Sequence, residues 1–134
     1  MKLLLDTAVF LWHITGSDQL PTDVVDAVRS PANDVRLSVV SMWEIQVKHG
    51  LGRLVLPESP ATYIPRQRER HQIASIPLVE SVLAHLANLP DRHRDPFDRM
   101  LIYQAIEHDL TLVSSDRAIH AYPVRVLWTG SQIG

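Results

Sequence analysis

Five carboxylates stand where an α/β chain would deliver them to one edge of a sheet. Asp6 ends the apolar run Leu3-Leu4-Leu5, and Glu44 follows a second apolar run. Asp95 and Asp98 open the most regular helical pattern, and Asp116 follows a late apolar run. Two carboxylates about 5 Å apart repel by roughly 3 kcal/mol at an effective dielectric near 20. Helix N-termini offset only about 0.3–1 kcal/mol of this for each acid. Several such groups stay ionised together only if a cation compensates them. The donors are all oxygen: there is no cysteine, and His13, His49, His71, His85, His93, His108 and His120 are scattered, with no HxxxH pair. These histidines read as surface or packing residues. An oxygen-only set favours Mg2+ or Mn2+ over zinc.

Each acid taken singly also has a structural explanation. Ser41-Met42-Trp43-Glu44 has the form of a capping box, with Glu44 in the first turn of its helix. Asp95 before Pro96 is an N-cap ahead of a proline at the first helical position, which puts Asp98 at N3. Asp6 and Asp116 also suit N-caps. Capping accounts for acids at helix starts, but not for acids following three apolar segments so closely. Lys48, four residues after Glu44, suits a helical ion pair or a restraint on that acid. Trp12, Trp43 and Trp128 read as core anchors rather than base-stacking platforms, with Trp12 near enough to Asp6 to be exposed.

The elements that must position these groups alternate along the chain. Residues 2–5, 35–39, 73–78, 110–113 and 124–127 read as strands, and the first is a short continuous apolar run of the kind buried on both faces of a parallel sheet. Helical patterns occupy residues 7–14, 22–29, 42–49 (stopped by Gly50), 59–71, 81–88, 96–108 and 117–122. Such alternation argues for a parallel sheet covered on both faces, with ligands bound at the carboxyl edge of the strands where their order reverses.

The 134 residues, 46% hydrophobic and 21% charged, fit one domain over residues 1–134. A net charge of −2 gives no global attraction to nucleic acid, so any such contact depends on local Arg and Lys. Asp6 cuts the N-terminal apolar run too short for a signal peptide, and no stretch reaches the roughly 20 apolar residues of a membrane span. The expectation is a soluble protein, and the lack of cysteine fits the cytoplasm.

At the segments Lys2–Thr7, Ser38-Val-Val-Ser41-Met-Trp43-Glu44-Ile45 with Lys48, Leu51-Gly52-Arg53-Leu54, His93-Arg94-Asp95-Pro96-Phe97-Asp98-Arg99, Thr111-Leu-Val-Ser-Ser115-Asp116 and Val126-Leu127-Trp128, the chain resembles the PIN-domain ribonucleases, in particular the VapC-type toxins of bacterial toxin–antitoxin pairs. The resemblance implies a PIN-like three-layer fold with a five-stranded parallel sheet in the order 3-2-1-4-5. It implies that Asp6, Glu44, Asp98 and Asp116 are the catalytic, metal-holding acids. Asp95 would be an auxiliary acid, and Thr7 and Ser115 would be hydroxyls near the metal. The family's usual Asp-Thr-His start is Asp6-Thr7-Ala8 here, which bears on substrate or partner contact.

The implied chemistry is Mg2+-dependent hydrolysis of phosphodiester bonds in RNA, with single-stranded loops as substrate because unstacked backbone can enter a cleft. Arg94, Arg99 and Arg117 lie beside the acids in sequence and are candidates for gripping phosphates or for pairing with those acids. The resemblance also implies a homodimer and a cognate antitoxin inserted near the acids. The helices at 22–29 and 59–71 would offer apolar docking surface. Two other readings compete: a non-catalytic PIN-fold interaction module, which the presence of all four acids opposes, and a phosphatase of the haloacid dehalogenase type, which needs an acid where Ala8 stands.

Overall fold

In a computed structural model describing residues 1–85 and 95–128, the apolar runs form one five-stranded, all-parallel sheet. Its strands are β1 (Lys2–Leu5), β2 (Asp34–Ser38), β3 (Ala74–Ile76), β4 (Thr111–Val113) and β5 (Val126–Leu127). Their order, β3-β2-β1-β4-β5, is the expected one and puts the reversal between β1 and β4. The helices are α1 (Thr7–Thr15), α2 (Thr22–Arg29), α3 (Val39–Gly50), α4 (Pro60–Arg70) and α5 (Pro96–Glu107).

The central strand shows why the layers form. Leu3, Leu4 and Leu5 are all fully buried, but alternate residues of a strand face opposite sides. Leu3 and Leu5 pack with Val9, Phe10, Val24 and Val28 of α1 and α2 and Ile64 of α4. Leu4 packs on the other face with Leu101, Ile102 and Tyr103 of α5 and with Leu112 of β4. Val24 and Val28 of α2 and Ile64 of α4 are therefore committed to the core. An unburied apolar stripe lies on α3, where Val39, Trp43 and Val47 recur every four residues. Trp43 is 56% exposed and so is not the core anchor its type suggests.

Several boundaries move, each for a physical reason. The helix carrying Glu44 begins at Val39, because the Ser38 hydroxyl, not that of Ser41, caps it by accepting from Val40 N–H at 3.0 Å. Glu44 therefore sits in the second turn, and Ser41 is a buried helical residue rather than a cap. The stop signal is Gly52, not Gly50. Gly52 N–H donates to the His49 carbonyl (3.0 Å) and Arg53 N–H to the Lys48 carbonyl (2.9 Å), a Schellman closure needing the positive φ of 73° that glycine adopts without strain. β3 stops before Pro77, which has no N–H to donate. Around residue 81 a 3-10 turn (Glu80–Ala84) replaces the start of the anticipated helix, whose later residues 86–88 lie outside the described ones. Residues 117–121 likewise form a 3-10 turn. Among the described residues no helix is long and apolar enough to cross a membrane.

One buried polar chain ties the layers together. The Ser38 hydroxyl donates to Gln104 Oε1, and Gln104 Nε2 donates to the Pro77 carbonyl at 3.2 Å. Gln104 is fully buried. The chain joins the start of α3, the middle of α5 and the exit of β3.

Candidate active site

Asp6 is placed by the end of β1. Its N–H donates to the Val113 carbonyl of β4 (3.1 Å), and its carboxylate accepts the Val9 N–H (2.7 Å) as the N-cap of α1. Only 7% of the residue is exposed. Burial is the main force raising its pKa from 3.8 to about 6. Hydrogen bonds from the Ser114 hydroxyl and Val9 N–H pull the other way, and the charges of Glu44 and Asp116 push it further up. Asp116 caps its own turn by accepting from Ala118 N–H (2.9 Å), and its N–H donates to Ser114 Oγ (3.1 Å). Ser114 thus links the acids at the ends of β1 and β4.

From α5, Asp95 accepts the N–H groups of Phe97 (2.9 Å) and Asp98 (3.4 Å), which fixes Asp98 in the first turn. Glu44 comes from α3 and is 3% exposed. Its Oε1 accepts from the Thr7 hydroxyl (2.6 Å), which also pairs with the Ser41 hydroxyl (2.9 Å), and its Oε2 accepts from the Lys48 ammonium. The i,i+4 pair read from the sequence is therefore present. Burial works against the charge of Lys48, but the bond to Glu44 and the fields of Glu44, Asp95 and Asp98 outweigh it and raise its pKa.

Asp6, Glu44, Asp95, Asp98 and Asp116 line a single cavity of about 330 Å3, with Thr7, Ala8 and Ser115 on its wall. The capping explanation and the clustering explanation both hold: three of the five acids are N-caps, and all five face one space. Two residues in this arrangement had no prior assignment. Ser114 is one, because it lies just past β4, where strand alternation no longer says which way a side chain points. Arg53 is the other; the Gly52 turn carries it to the cavity wall, and among the described residues it makes no ion pair. Of the arginines singled out from the sequence, Arg99 and Arg117 do not line this cavity, and Arg94 lies outside the described residues.

The donor set is oxygen throughout, which fits a hard divalent cation. Among the described residues no three acidic or imidazole side chains are grouped to ligate one ion by themselves.

Comparison with known proteins shows the family and the fold. Ribonuclease VapC16 of Mycobacterium tuberculosis is 34% identical over 71 residues, an alignment covering 50% of this chain and 50% of that protein. Solved structures share the fold. VapBC2 from Rickettsia felis, bound to a DNA fragment from its promoter, superposes with a TM-score of 0.72 at 15% identity, over 96% of this chain and 99% of that one. VapBC-1 from nontypeable Haemophilus influenzae gives 0.65 at 13% identity, over 95% and 97%. The family model described as PIN domain matches residues 3–124. Since that span takes in every segment bearing an acid of the cavity, the chain belongs to the PIN domain family.

Proposed function

We propose that this chain is a metal-dependent endoribonuclease, the toxin of a toxin–antitoxin pair, acting on single-stranded RNA. The observation that carries this reading is the convergence of five carboxylates from four separate segments on one cavity. The similarity to a ribonuclease of the VapC type supports it. Asp6 and Asp98 would hold the Mg2+ (or Mn2+), with Glu44 and Asp116 completing the set. When bound, the cation would activate water and offset charge on the phosphate being cleaved.

The chain's own residues do the positioning. Lys48 and Thr7 together occupy both Glu44 oxygens, fixing that carboxylate in place. Ser114 holds Asp6 against the start of the Asp116 turn. Asp95 serves as an auxiliary acid by fixing the α5 N-terminus beneath Asp98. Ser115 supplies a hydroxyl at the wall. An acidic cavity repels a phosphodiester, so a guanidinium not consumed by an acid is the group to meet it, and Arg53 fills that role. Arg53→Ala should raise KM about tenfold with kcat within about threefold, and Arg53→Lys should recover part of the loss. Steady-state cleavage of a fluorogenic RNA checks this; a fall in kcat at unchanged KM would contradict it.

The exposed α3 stripe of Val39, Trp43 and Val47 offers an apolar surface for a second copy of the chain or for the antitoxin. The central test is cleavage of total RNA by purified protein with Mg2+, with EDTA, and with Asp98→Asn. Activity is expected only in the wild type with metal, and silencing is expected when an operon-encoded partner is co-purified. Equal activity in wild type and variant would overturn the assignment.

A further inference from the structure

A second cavity, of about 290 Å3, lies at the C-terminal end of α1, away from the acids that begin that helix. The chain is acidic overall, yet this cavity is lined by no carboxylate. His13 of α1 and His71, which caps the end of α4, meet edge to face with ring centres 5.0 Å apart and planes at 64°. Arg29, the last residue of α2, joins them and makes no ion pair among the described residues. Half-buried Trp12, whose ring also packs against Trp128 with centres 6.3 Å apart, lines the aromatic side, and Leu20 and Val25 supply the apolar lining. The Gly16 turn that ends α1, at φ 65°, leaves this side of the helix end open.

We propose that this cavity binds a nucleotide, with its base against Trp12 and its phosphate against Arg29, His13 and His71. The guanidinium supplies fixed positive charge that attracts an anion, and each imidazole can donate a ring N–H to it. An aromatic wall beside that charge suits an anion carrying a flat ring, since every base has a face to stack. Arg29 and His71 also wall an adjoining space of about 270 Å3, whose one acid, Asp34, is paired with Arg36, so a phosphate seated on them has room to continue into a chain. The ligand is therefore either a free nucleotide or one residue of an RNA strand. The assignment is independent of the chemistry at the acids.

The charges bearing on the imidazoles come from three helix ends: Arg29 of α2, Arg70 and His71 of α4, and His13 of α1, and none is acidic. Burial first, and then these positive neighbours, hold both rings below the ordinary histidine value. A bound phosphate reverses that field, so binding should tighten between pH 8 and pH 6 and both rings should titrate higher when occupied.

The test is a titration followed by the imidazole proton resonances, with EDTA present so that the acidic cavity holds no metal. The probes are adenosine 5′-monophosphate, inorganic phosphate, a single-stranded trinucleotide and an acidic tripeptide. Adenosine 5′-monophosphate should shift the His13 and His71 resonances and bind at least about tenfold more tightly than inorganic phosphate, the difference being the stacked base. Arg29→Gln should weaken it by about tenfold or more, with Arg29→Lys intermediate. Tighter binding of the trinucleotide identifies an RNA residue as the natural occupant; equal binding identifies a free nucleotide. Inorganic phosphate binding as well as the nucleotide overturns the proposal. So does selective binding of the acidic tripeptide, or an Arg29→Gln variant with unchanged affinity.

Discussion

Replacing Asp6 with asparagine should cut RNA cleavage by orders of magnitude while leaving the metal-free protein more stable at pH 8. The two effects have separate causes at one carboxyl group. Asparagine keeps an oxygen to accept the Val9 N–H, so the α1 cap survives. It carries no charge for a cation, so activity should fall on the order of 10²–10³-fold or more. The stability gain follows from the raised pKa. A carboxyl at about 6 when folded, against 3.8 in its ordinary state, favours folding while protonated. That contribution is complete below pH 3.8 and is lost as pH rises through about 6, at a total cost of about 3 kcal/mol in the metal-free protein. An amide has no such dependence, although burying it has its own cost, which leaves a net gain of about 1–2 kcal/mol at pH 8. Melting curves of wild type and variant in EDTA should therefore separate at pH 8 and converge toward pH 4. Mg2+ should raise the wild-type melting temperature more at pH 8 than at pH 5. A gap between the curves that ignores pH would show that Asp6 is not the group responsible.

Gln104→Leu should lower the melting temperature by roughly 8–15 °C, the largest purely structural effect expected here. Leucine is of similar size and suits the apolar surroundings, so packing alone predicts little change. It cannot, however, accept the Ser38 hydroxyl or donate to the Pro77 carbonyl. Each group left without a partner costs about 1–3 kcal/mol, and since the Ser38 hydroxyl keeps its bond from Val40 N–H, the total is about 2–4 kcal/mol. Ser38→Ala should cost less, since it removes the α3 cap and one end of the chain but leaves the bond from Gln104 to Pro77. Because both substitutions break the same bond, the double variant should be less destabilised than the sum of the two. Additive losses in thermal melts would mean the two residues act independently.

What the sequence determined was whatever depends on near neighbours. Three buried leucines in a row require a strand covered on both sides. Asp95 ahead of Pro96 sets its own N-cap, as do Asp6 and Asp116, because such bonds span two or three residues of a chain already turning. Those acids were legible both as caps and as members of one cluster. Their place at one edge follows once parallel crossovers bring each strand back in the same direction.

Tertiary structure decided whatever depends on which distant residue arrives. The α3 cap went to Ser38 over Ser41 where Ser38 also reaches Gln104 on another helix, while Ser41 was drawn inward against Thr7. Arg53 reaches the acids because a left-handed turn at Gly52 redirects the chain, whereas Arg99 and Arg117, closer to acids in sequence, do not line the cavity. His13 and His71 look unrelated in a sequence without paired histidines, and only the packing of α1 against the end of α4 makes them neighbours. Local hydrogen bonds form within a few residues whatever the rest of the chain does, but the convergence of side chains exists only after long-range packing has fixed register and helix orientation.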